Sequence, residues 1–171
     1  RKFLNANAFA LELEVEFSPL YEGQPLFSDI DAFIRKELTL ELFDLRHSYW
    51  KLKGGVSLGN QKGQLLFGDA LYFRPARNFY SWLDSFQELQ TKQAAETSDK
   101  PPADKQTLES ARGKLASAIA CSLFYGYCDY AFTLLENARA EKLLGAELRA
   151  DLLHVVTAYG RGPSSILKAN R

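Results

Sequence analysis

Methionine is missing altogether, cysteine and histidine occur twice each, and no charge of either sign is in excess: Lys plus Arg and Asp plus Glu each number 21 in 171 residues. Each shortage narrows the field. Balanced charge leaves no global field to draw in nucleic acid or a membrane surface. No apolar run approaches the roughly 20 residues that span a bilayer, and no secretory leader is recognisable. The chain therefore reads as soluble and cytoplasmic. Cys121 and Cys128 stand seven apart in a helical-looking segment, roughly 10 Å along the axis, which is too far for a disulfide. They read as buried thiols of a reducing compartment, not as a redox pair or metal ligands. With so few Cys and His, no metal-ligand cluster and no nucleophile triad can be assembled. A chain that begins with Arg1 and has no methionine reads as a fragment or a processed product.

Charge is short in places where it is not short overall. From Lys2 to Arg35 the sequence has six acids and no base between; from Asp44 to Asp69 it has Arg46, His47, Lys51, Lys53 and Lys62 and no acid between. Solvated faces are one reading. A cleft with one acidic and one basic wall is the other. Residues 91–106 lack aromatics, Leu, Ile and Val, and Pro101-Pro102 forbids a continuous helix. They read as a flexible linker.

What is present starts with LELEVEF, residues 11–17, where Leu11, Leu13, Val15 and Phe17 alternate with Glu12, Glu14 and Glu16. Period-two alternation predicts a strand with one buried face. Pro19, Gly23 and Pro25 enforce a loop, Ser28 offers an N-cap, and Ile30, Phe33 and Ile34 give a short helix over 29–37. Leu40 to Leu45 predicts a second strand. Strand, helix and strand in so few residues make a βαβ unit, hence a parallel pair. Residues 46–63 are rich in glycine and read as a loop, too short of apolar residues for a crossover helix. The third strand, Gln64 to Arg74 with Gly68 at a bulge, is therefore expected antiparallel to the second. Beyond it the spacing is helical: 78–90, then 107–124 capped by Thr107, then 129–144 capped by Asp129, then 146–159.

Three blocks, EVEFSPLYEGQPLFSDIDAFI (14–34), LELFDLRHSYWK (40–51) and GQLLFGDALYFR (63–74), together resemble the C-terminal half of FkbM-family methyltransferases. The likeness covers about residues 11–75, and its specificity lies in the order and spacing of the blocks. It implies an α/β fold: a partial Rossmann-like methyltransferase sheet with a parallel strand, a helix and an antiparallel terminal strand pair, the last strand inserted between its neighbours. An all-helical C-terminal unit follows. The expected domains are 1–90, a linker at 91–106 and a helical extension at 107–171. S-adenosylmethionine is the implied cofactor and an acceptor hydroxyl, on a saccharide or secondary metabolite, the implied target. The family's acidic, glycine-containing cofactor loop has no counterpart here, so this chain alone is expected to be inactive.

Ligands of open α/β sheets sit beyond the carboxyl ends of the strands. That places Glu16, and less directly Glu14, as candidate general bases toward an acceptor hydroxyl; bonding to loop backbone is the alternative. Tyr21 and Gln24 in the following loop, and His47, Tyr49, Trp50 and Lys51 after the second strand, are candidate acceptor-binding residues. For that aromatic and basic cluster the alternative is cover for a sheet edge. Asp69 reads as a salt-bridge partner and His154 as an ordinary helix residue. A second functional reading is a non-catalytic module of truncated methyltransferase fold, in which a homo-oligomer or a protein partner covers the open sheet edge.

Overall fold

The computed structural model describes residues 2–53, 59, 62–95 and 103–160. The chain forms two compact units, Arg1–Pro75 and Ala76–Arg171.

In the first unit a short helix α1 (Lys2–Asn7) leads into β1 (Ala10–Glu16). Helix α2 (Phe27–Phe33) follows, then a π-helical turn (Ile34–Leu38), β2 (Glu41–Trp50) and β3 (Gln64–Phe73). The sheet order is β1-β3-β2, with both pairings antiparallel. The third strand lies between its neighbours, the order that the resemblance implies, and its antiparallel partnership with the second is as the sequence leads one to expect. The direct parallel pair is not: β1 and β2 run the same way but β3 separates them, so neither hydrogen-bonded pair is parallel. The strand expected over Leu11–Phe17 lies at the rim of the described sheet, beside the central β3.

Alternation sets the packing. Val15 and its partly buried neighbours Leu11, Leu13 and Phe17 meet Ala70, Tyr72 and Leu40 on one face. Phe27, Ile30, Ile34 and Leu38 cover that face from the helical connection. The expected helix over 29–37 is really two: α2 widens into the π turn after Phe33. This wider turn lets Ile34 and Leu38 both reach the core. Thr39 then takes a left-handed conformation, φ 54° and ψ 34°, uncommon for a β-branched residue. Its strain is offset by contacts: the Thr39 hydroxyl donates to the Leu38 carbonyl at 2.7 Å and accepts from Arg74 Nη1 at 2.8 Å. Nor does Ser28 cap α2. The N-cap is Leu26, whose N–H donates to the Asp29 carboxylate at 3.0 Å.

β2 outruns its expected end by five residues, so His47, Tyr49 and Trp50 stand on a strand and not in a loop. Its register slips between Leu42 and Asp44 and again between Ser48 and Tyr49. Gly68 lies opposite His47, in unbroken register with β1, and is not itself the bulged residue. A side chain there would run into the Arg46 carbonyl.

The second unit is helical: α3 (Ala76–Ala95), α4 (Ala103–Phe124), α5 (Cys128–Glu136), α6 (Ala138–Leu144) and α7 (Ala146–Gly160). The helix expected over 129–144 is broken at Asn137, whose extended backbone and side chain accepting from Arg139 N–H at 3.0 Å begin a new helix. Thr107 falls inside α4, which starts earlier, and Asp129 in the first turn of α5. Gly126, at φ 85°, separates α4 from α5. Of the proposed linker, 91–95 is helical and 103–106 begins α4, while 96–102 lie outside the described residues.

Buried aromatics fill this unit. Phe79, Tyr80, Trp82 and Phe86 line α3 against Leu115, Ile119, Leu134 and Leu135. Arg139 pairs with Asp84 through both carboxylate oxygens and lies 5.4 Å over the Tyr80 ring; Lys114 Nζ sits 4.0 Å over Phe86. The Tyr80 hydroxyl donates to the Leu134 carbonyl at 2.7 Å, and burial pushes its pKa up to about 12. The unfolded chain gives up this proton near pH 10, so its binding favours the folded state below that pH. That share is lost as pH rises from about 10 toward 12. Tyr80→Phe is expected to cost about 1 kcal/mol at pH 7 and to flatten the decline above pH 10. Urea denaturation of both proteins at pH 7, 10 and 11 checks it; equal pH slopes would refute it.

Candidate functional site

The carboxyl ends of β1 and β2 lie at the same end of the sheet, because both strands oppose β3. The residues gathered there follow from register. Glu16 stands across from Phe67, which in turn stands across from Ser48; Val15 stands across from Gly68, and Gly68 from His47.

On the α2 side, the Phe17 ring lies 5.3 Å from Phe27 and 6.0 Å from His47, and His47 lies 6.2 Å from Tyr49. Lys62 Nζ sits 5.8 Å over the Tyr49 ring, and Trp50 meets the Phe67 ring edge-on at 6.0 Å. Tyr49 and Trp50 remain 43% and 58% exposed. Gln64 Nε2 reaches the Ser18 hydroxyl at 3.5 Å, joining the start of β3 to the loop after β1. Phe17, His47, Tyr49 and Lys62 thus make an aromatic shelf with cationic neighbours on the α2 side, while Phe67, opposite Glu16, meets Trp50 at the same end of the other face.

Not every expected residue joins it. Glu16 is half-buried at the right end of the strand but shares the face of Glu12 and Glu14, whereas Phe17 and His47 belong to the other face. Glu14 lies farther from the end, directly across from Asp69. Tyr21 is 63% exposed. Gln24 is occupied locally: its side-chain oxygen accepts from the Leu20 N–H at 2.7 Å and braces the loop. Lys51 donates to the Gly59 carbonyl. His154 is exposed on α7.

The acidic and basic blocks do not form the two walls of a cleft. Arg46 reaches across β3 to pair with Glu12 and lies 3.9 Å from Asp69, so on this face the blocks meet as cross-strand pairs. Asp31 binds Arg35 at 2.8 Å and accepts from the Tyr72 hydroxyl at 3.1 Å. Burial and that bond hold the Tyr72 pKa well above the usual tyrosine range.

Sequence reasoning missed Phe17, Phe27, Phe67, Gln64 and Lys62 as residues of this strand end. Phe17 carried the signal, as the last apolar residue of the alternation. Phe67 and Gln64 needed the register, which no local pattern supplies.

No group of three or more His, Cys, Asp and Glu among the described residues is placed to hold a metal ion. The described residues do not fit S-adenosylmethionine either. The strand-to-helix loop between β1 and α2 has one glycine, Gly23, open to solvent, and no glycine-rich turn that would let a nucleoside approach the backbone. No described helix is long and apolar enough to cross a membrane. No protein family, curated protein or solved structure matches the chain.

Proposed function

We propose that residues 1–75 form the acceptor-side end of an S-adenosylmethionine-dependent O-methyltransferase of the type the three sequence blocks resemble. The acceptor is a hydroxyl of a saccharide or secondary metabolite. One observation carries this reading: β3, last in the chain, lies between β1 and β2 and antiparallel to both. That is the strand insertion the resemblance implies, and a simple three-strand meander would have placed β2 in the middle instead.

In this reading Trp50 and Tyr49 stack on the acceptor, with Lys62 and His47 beside them to favour an anionic or hydroxyl-rich ring. Glu16 shares this strand end but stands on the Phe67 face, so it takes a proton only from an acceptor hydroxyl that reaches past Trp50 to that face. The cofactor would supply the methyl group, and the described residues provide no cradle for it.

The test uses the natural full-length polypeptide of this gene. Methyl transfer from labelled S-adenosylmethionine to a panel of sugars, uronic acids and phenols is expected to give an alkali-stable methyl ether. Calorimetry on the same protein that detects no S-adenosylmethionine binding would sink the proposal. Trp50→Ala is expected to raise the acceptor KM about tenfold, in line with a loss of one stacking contact, while the cofactor Kd stays unchanged.

A further inference from the structure

We infer that the shelf formed by Tyr49, His47 and Lys62 takes an anionic ring, a sugar or phenol bearing a phosphate or carboxylate, in preference to a neutral one. The inference rests on the acceptor-site reading above and names the charge of the acceptor.

Pleating sorts the charges of this sheet. Glu12, Glu14 and Glu16 alternate with Leu11, Leu13, Val15 and Phe17, and the apolar set is the one that faces α2. Asp69 stands across from Glu14, on the glutamate face. Arg46 turns to that face too, where it pairs with Glu12 and lies 3.9 Å from Asp69. Its neighbour His47 turns the other way, toward Phe17 and Tyr49, and Lys62 joins it with Nζ 5.8 Å over the Tyr49 ring. The acids of α2 are engaged elsewhere. Asp29 accepts from the Leu26 N–H at 3.0 Å, and Asp31 holds Arg35 at 2.8 Å and the Tyr72 hydroxyl at 3.1 Å. Among the described residues neither Lys62 nor His47 has an ion-pair partner. The connection from β2 to β3 supplies none, since residues 45–68 contain no Asp or Glu.

Tyr49 decides between a neutral and an anionic ring. Its π face already draws the Lys62 cation. A neutral ring stacking there competes with that cation and returns nothing for it. An anionic ring takes the displaced Lys62 up as an ion pair, and His47 keeps at least one N–H donor in either protonation state. Arg35 and Arg46 already pair with Asp31 and Glu12, which leaves Lys62 to recognise the ligand as a point charge and not as a planar fork. Recognition by charge alone favours phosphate, with nearly two negative charges at neutral pH, over carboxylate with one.

Saturation-transfer NMR titration of the natural full-length polypeptide tests this with matched pairs, glucuronate against glucose and phenyl phosphate against phenol. The anionic member of each pair is expected to bind about fivefold more tightly, about what one exposed ion pair supplies. Salt at about 1 M, where the screening length is roughly 3 Å, is expected to abolish the difference. Lys62 is exposed, so its variants are expected to fold; Lys62→Gln should remove the preference and Lys62→Glu reverse it. Arg46→Gln, next to His47 in sequence but on the other face, should leave it unchanged. Equal affinities within both pairs, or a preference unmoved by both Lys62 variants, would overturn the inference. So would a preference lost in Arg46→Gln, or inorganic phosphate binding as tightly as phenyl phosphate. Methyl transfer at equal kcat/KM onto neutral and anionic members would overturn it and leave the methyltransferase reading intact. The expected order of binding without any methyl transfer would sink that reading and leave the anion preference standing.

Discussion

Gly68→Ala is expected to unfold the sheet unit or to leave it destabilised by about 3 kcal/mol or more, the upper range for overpacking. Gly68 sits mid-strand in β3, buried, between Val15 and His47. A Cβ built there falls inside the contact distance of the Arg46 carbonyl oxygen and lies 3.5 Å from the Phe17 ring. The obstacle is backbone, so no rotamer change relieves it. Relief requires β2 to move away from β3, and that forfeits ladder bonds on the only strand that both neighbours share. Gly113→Ala in α4 is the control: nothing lies within 4 Å of its added Cβ, and a helix interior gains about 0.5–1 kcal/mol from the exchange. Chemical denaturation read by near-ultraviolet circular dichroism distinguishes them. A Gly68→Ala protein with wild-type stability would contradict the close strand approach.

Arg74→Ala is expected to cost about 3 kcal/mol or more and to release α1. Arg74 is 3% exposed and spends its guanidinium on three acceptors: the Thr39 hydroxyl at 2.8 Å, the Asn5 carbonyl at 3.1 Å and the Ala8 carbonyl at 3.2 Å. Two of these are carbonyls at the end of α1, where no helical N–H follows to satisfy them. Truncation leaves them facing a cavity, at about 1–3 kcal/mol for each group left unsatisfied. Arg74→Met fills most of the volume and is expected to fall between wild type and alanine. Hydrogen exchange in α1 should lose protection in both variants, more than in β3. A loss below 1 kcal/mol, or unchanged protection in α1, would show that the arginine does not anchor it.

How much of this was legible beforehand depended on how local the cause was. The strand at 11–17 and the turn of the chain at Pro19 to Pro25 follow from residues within one window. The antiparallel third strand follows from a loop with too few apolar residues to cross over. Arg74, read as the end of a strand before Pro75, gave no hint of its partners, since Asn5 and Ala8 lie far away in sequence. The π turn and left-handed Thr39 also escaped, because they answer to the need to bury Ile34, Leu38 and Leu40 together, not to helix propensity. The candidate site was half legible: His47, Tyr49, Trp50 and Glu16 do stand at the carboxyl ends of β1 and β2. Face was not, since the register that separates Glu16 from His47 is fixed only once β3 lies between them.

That insertion also orders events during synthesis. Among the described residues the strand that pairs with β1 is β3, and Phe67, the first β3 residue to face it, follows Glu16 by 51 residues. At roughly 5–20 residues per second the ribosome needs about 3–10 s to cover that distance. Through that interval β1 has α2 available to cover its apolar face but not its β3 ladder. β2 and β3 lie closer in sequence, separated by residues 51–63, so their pairing closes the smaller loop. A chaperone that holds extended segments would find its substrate in that interval.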